Sequence, residues 1–91
     1  MDKVHVIITD EFATDTAQIC SDRVFNAVYD AIDNLTTIPE LGSTNVPTSV
    51  LKRYGNKARK IVVSSFDVFY TYDEPEGVIK VLALVHQRRV R

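Results

Sequence analysis

Residues 66–86, FDVFYTYDEPEGVIKVLALVH, restrict the possible folds more than any other stretch of this chain. Phe66, Val68, Tyr70 and Tyr72 alternate with Asp67, Phe69 and Thr71, the period of a strand. Asp73-Glu74-Pro75-Glu76-Gly77 is built from turn formers. Val78 to His86 is then apolar at nearly every position, which suits a strand covered on both faces. A strand, a tight turn and a second strand make an antiparallel hairpin. Ala58 to Ser64 precedes it, joined through Ser64-Ser65, so two hairpins run in series as a three-stranded meander.

Upstream, Val4 to Thr9 reads as a further strand. Asp10 is placed to cap a following helix, with Glu11 in its first turn. From Glu11 to Ile38 the apolar residues fall at three- and four-residue steps: Ala13, Ala17, Cys20, Val24, Val28, Ala31, Leu35, Ile38. One helix would run about 40 Å, long for so small a domain. Ser21-Asp22 can start a second helix, so the reading favours helices near 11–19 and 22–37, with Pro39 ending the second. Cys20 is expected as a small buried helical residue. Residues 39–56 form a long connection that Leu41, Val46, Leu51 and Tyr54 could pin to the core. Thr48 to Tyr54 is a candidate for one or two helical turns closed by Gly55. The expected architecture is α+β: two N-terminal helices packed on a four-stranded, mainly antiparallel sheet, in the order β-α-α-β-β-β, as one domain over 1–91.

Ninety-one residues bury only a modest core, so a partner that adds stability is plausible on size alone. No apolar run reaches the length of a membrane span, and MDKVHVIITDEF lacks the basic start of a signal peptide, so a cytoplasmic protein is expected. A single cysteine excludes an internal disulfide and any cysteine-rich zinc site. The net charge of −1 hides a split. Residues 1–51 hold eight acids and two bases, whereas 52–91 hold nine bases and four acids. The basic half suggests an anionic partner, the acidic half a basic one.

The last strand runs straight into His86-Gln87-Arg88-Arg89-Val90-Arg91. Strict alternation puts Lys80, Leu82, Leu84, His86 and Arg88 on one face, with His86 and Arg88 about 7 Å apart at the rim. Two such groups can grip one phosphate or carboxylate. A solvated basic strand end accounts for the same residues.

In order and spacing, these elements resemble the RelE/ParE superfamily of toxins from type II toxin–antitoxin systems. The helix pair exits through Leu35…Ile38-Pro39-Glu40-Leu41-Gly42. Phe66-Asp67-Val68-Phe69-Tyr70 is similar to the family's aromatic middle strand. Val78 to Arg89 is similar to its closing strand, which often ends in a histidine, a spacer and two basic residues. The resemblance implies a toxin of a plasmid-stabilisation module, neutralised by a cognate antitoxin, as a homodimer or a hetero-oligomer with that antitoxin, with neither metal nor cofactor. It implies one of two activities. ParE-like members inhibit growth through DNA gyrase. RelE-like members are metal-independent endoribonucleases that cut mRNA on the ribosome. A nuclease would use Lys60, His86 and Arg88, with His86 as acid or base because its unperturbed pKa lies near neutrality. Arg59, Lys80, Arg89 and Arg91 are the further binding candidates. Three departures weigh against cleavage: Asp67 stands where the nucleases carry an arginine, no tyrosine follows the last strand, and the overall balance is slightly acidic where ribosome-directed members are usually strongly basic. A plain binding module, with Tyr70 and Tyr72 stacking bases, is the third possibility. The antitoxin is expected over the basic sheet end, masking Arg88.

Overall fold

A computed structural model of the chain describes residues 4–87. The elements follow as β1 (His5–Ile8), α1 (Asp10–Asp15), a 3-10 turn (Thr16–Gln18), α2 (Asp22–Asn34), α3 (Thr48–Tyr54), β2 (Arg59–Val63), β3 (Phe66–Asp73) and β4 (Val78–His86). The strands form one sheet in the order β1-β4-β3-β2. The meander β2-β3-β4 is antiparallel, as its turns require, and β1 joins β4 in parallel. The expected α+β order therefore holds, with a third helix inside the 39–56 connection.

The main core lies between α1, α2 and one face of the sheet. Phe12, Val28, Ile32 and Leu35 meet Phe66, Val68, Tyr70, Ile79, Val81 and Leu84. Val28 and Ile32 on α2, with Leu35 at its C-cap, recur at four- and three-residue steps, one stripe of a helix. A smaller cluster sits on the opposite face. There Phe69 and Ala83 are covered by Val46, Ala58 and the α3 residues Val50, Leu51 and Tyr54. The sheet is thus sandwiched, which explains why β3 and β4 carry apolar residues on both faces.

Several local expectations change. Thr9, not Asp10, caps α1: its hydroxyl accepts from the Phe12 amide at 3.3 Å and donates to the Val81 carbonyl at 2.8 Å. Ser21 caps α2 as expected, accepting from the Val24 amide. The helix ends at Asn34, well before Pro39. Ala13, Ala17 and Cys20 do not form a buried stripe. They are exposed, and Phe12 fills the core instead. The reason is length: α1 makes barely two turns, too few for periodicity to outweigh one large aromatic side chain. Cys20 lies between the 3-10 turn and α2, exposed. Ile38 and Leu41 are exposed as well.

The largest change is in β4. Phe69 pairs with Ala83 but Tyr70 pairs with Val81, so Leu82 is an extra residue on β4. Such a bulge shifts the alternation by one. Ile79, Val81, Leu84 and His86 share the face of the main core. Lys80, Ala83, Val85 and Gln87 share the other.

The connection after α2 is tied down by Tyr70. Its buried hydroxyl donates to the Pro39 carbonyl and accepts from the Gly42 amide, at 2.8 and 2.9 Å. Ser43 then bridges both backbone groups of Lys60, covering part of the outer edge of β2.

Candidate functional site

The candidate cations among the described residues do not converge. Lys60 pairs with Phe69, on the α3 face of the sheet, while His86 pairs with Phe66, on the core face. The two side chains therefore leave opposite faces. The His86 ring stands edge-on to Phe66, with centroids 5.1 Å apart. It lines a hollow of about 250 Å³ with Cys20, Val24 and Ser65. Lys80 lies opposite Thr71 and Ile7, toward the other end of β4, and it does not share the face of His86. Arg59 faces inward. Its guanidinium donates to the Glu40 and Gly42 carbonyls at 3.2 and 2.8 Å and pairs with the Glu40 carboxylate at 3.7 Å. It therefore holds the 39–43 segment against β2. Arg88, Arg89 and Arg91 lie outside the described residues.

Asp67 faces the α3 side between Val62 and Val85 and is only 5 % exposed. Its carboxylate accepts from the Gln87 side-chain amide at 3.1 Å. A buried carboxylate here disfavours an anion at the Ser64-Ser65 end of this sheet face. No group of three or more metal-ligating side chains is found among the described residues. Among them, no helix is long and apolar enough to cross a membrane.

One concavity beside α1 was not signalled by the sequence. A cleft of about 310 Å³ opens between α1 and α3, over the α3 face of the sheet. Its floor is Phe69, Ala83 and Val85. One wall carries Glu11, Asp15 and Gln18, the other Ser49, Val50, Arg53 and Tyr54. Glu11 ties the two walls together. It accepts from the Tyr54 hydroxyl at 2.8 Å and pairs with Arg53 at 3.0 Å. Asp15 and Gln18 serve the edge of β4 that β1 is too short to reach. Asp15 accepts from the Leu84 amide, and Gln18 donates to the Leu84 carbonyl, both at 3.1 Å. Glu11 and Asp15 are one helical turn apart, a faint sequence signal. The partners of Glu11 on α3 lie about forty residues away, and that of Asp15 on β4 lies further still, so neither leaves a local trace.

Burial, then the Glu11 hydrogen bond and charge, push the Tyr54 phenol up to about 12. Burial likewise raises Tyr70. The unfolded chain releases a tyrosine proton near pH 10. Below that both states hold the Tyr54 proton. From about pH 10 to about 12 the unfolded chain binds fewer protons than the folded one, so stability falls as pH rises. Urea titrations at pH 8, 10 and 11.5 should show this decline. Tyr54→Phe should make it shallower, leaving the share of Tyr70, while lowering stability at pH 8, and an identical slope in both chains would exclude Tyr54 as a cause.

Comparison with known proteins adds the following. A family model described as "ParE toxin of type II toxin-antitoxin system, parDE" matches residues 6–91. Among solved structures, a chain of the toxin–antitoxin complex RelBE2 from Mycobacterium tuberculosis superposes with a TM-score of 0.72. The match covers 93 % of this chain and 99 % of that one at 16 % sequence identity, a likeness of fold. Comparison with the curated proteins finds no match.

Proposed function

Because the chain belongs to the ParE toxin family of type II toxin–antitoxin systems, we propose that it arrests growth by binding DNA gyrase and not by cutting mRNA. The observation that carries this choice is Asp67. Phosphoryl cleavage without a metal needs cations around the phosphate and a base at the attacking hydroxyl, all within a few ångströms. On β3, where the nucleases carry an arginine, this chain has a buried carboxylate latched to Gln87, close to the Ser64-Ser65 turn. The two nuclease candidates within the described residues, Lys60 and His86, leave opposite faces. A binding inhibitor needs no such convergence; it needs a rigid scaffold and a surface. The sandwiched sheet supplies the first.

The partner is a cognate antitoxin, in keeping with the toxin–antitoxin complex to which the fold is similar. The pair works in the cytoplasm, where gyrase and its DNA are found, and its natural setting is a plasmid-stabilisation module.

Inducing the chain alone in a bacterium should stop growth, with filamentation and DNA-damage signalling. Purified chain should reduce supercoiling by purified gyrase while ribosome-bound mRNA stays intact. Cut mRNA with normal supercoiling would reverse the choice in favour of the nuclease. Unimpaired growth at high expression would remove the toxic activity altogether.

A further inference from the structure

The α1–α3 cleft has an apolar floor and an acidic wall. Glu11 is already matched by Arg53 and Tyr54. Asp15 is not matched by a cation among the described residues. One of its oxygens takes the Leu84 amide, and the other has no partner among the described residues. Gln18 spends its amide group on the Asp15 and Leu84 carbonyls, which leaves its own oxygen as a second acceptor on the same wall. Residues 10–18 hold three acids and no base. Two acceptors above Phe69 and Val85 suit a side chain with an apolar stem and a head of several donors. Arginine has that form: its stem lies on apolar surface and its planar fork donates to more than one oxygen.

We propose that this cleft seats an arginine side chain of the antitoxin, its stem on Phe69 and Val85 and its guanidinium on Asp15 and Gln18. The inference rests on the toxin–antitoxin reading and adds a contact point to it. It shifts the expected antitoxin contact from the basic sheet end to the acidic wall beside α1.

The test uses the full chain and the purified product of the adjoining reading frame, with affinity measured by calorimetry. Asp15→Asn keeps an acceptor for the Leu84 amide but removes the charge. It should weaken binding roughly tenfold to hundredfold, the value of one charge-assisted hydrogen bond. Ser49→Tyr, on the exposed rim, should weaken binding similarly by filling the mouth. Thermal unfolding of each free variant checks that the fold is intact. Replacing the antitoxin arginines by glutamine one at a time should yield one variant whose loss matches that of Asp15→Asn and does not add to it. A tight wild-type complex unaffected by both chain variants would overturn this inference and leave the partner reading standing. Loss of self-association in Asp15→Asn with antitoxin affinity unchanged would assign the cleft to a second copy, and also overturn it. Failure of the wild-type chain to form any complex would overturn both readings.

Discussion

Phe12→Ala should cost about 3–5 kcal/mol, the usual loss for emptying a buried phenylalanine site. Phe12 is fully buried and meets the Tyr29 ring edge-on, with centroids 6.2 Å apart. It is the only buried residue of α1, so the helix has no second anchor in the core. A chain of this length has about 5–14 kcal/mol to lose in total. With a urea dependence of roughly 1 kcal/mol per molar, the midpoint should fall by about 3 M or more. The damage should also reach β4, because α1 carries Asp15 and leads into Gln18, which hydrogen-bond Leu84. Amide exchange at Leu84 should accelerate along with that of α1. A cost under about 1 kcal/mol would mean that α1 is not seated as described.

Phe12 also marks where the sequence stops being legible. Helix α2 can be read from its own apolar steps because thirteen residues repeat the pattern. Helix α1 and the 3-10 turn are too short to repeat anything, so a spacing rule picked the exposed Ala13 and Ala17 over the aromatic beside them. The meander was legible for a different reason. Ser64-Ser65 and the Asp73–Gly77 turn punctuate it, and β3 alternates cleanly up to Tyr72. Strand β4 does not alternate. Its Val81-Leu82-Ala83-Leu84-Val85 run offers no polar residue to mark a face, and the bulge at Leu82 is invisible in it. That single extra residue moved Lys80 away from the face of His86. Arg59 illustrates a third limit. Its charge was visible, but its carbonyl partners lie 17 and 19 residues upstream, and only the folded chain brings them together. The candidate site was therefore less legible than the fold: charge reveals which residues are polar, whereas β-register decides which of them meet.

The segment leaving α2 carries the second large effect. Gly42→Ala should cost about 3 kcal/mol, at the upper end for overpacking by one methyl group. A Cβ there would stand 2.6 Å from the Tyr70 hydroxyl, 2.7 Å from its ring and 2.9 Å from the Lys60 carbonyl. None of these neighbours gives way easily. Tyr70 is fully buried, and Lys60 is fixed on both sides, by β3 and by Ser43. Tyr70→Phe should cost about 1–3 kcal/mol by stranding the Gly42 amide and the Pro39 carbonyl. The two substitutions should not add. Removing the hydroxyl also removes the closest contact of the new methyl group, so the double variant should lose less than the sum by at least about 0.5 kcal/mol. It should still fall below either single variant, because the ring and the Lys60 carbonyl remain in the way. Strict additivity in urea unfolding would show that the Gly42–Tyr70 contact is absent. The predicted coupling would identify Pro39-Glu40-Leu41-Gly42 as a staple that binds the end of the helical layer to the sheet. Through Arg59 and Ser43, the same staple fixes the edge of β2 on which Lys60 stands.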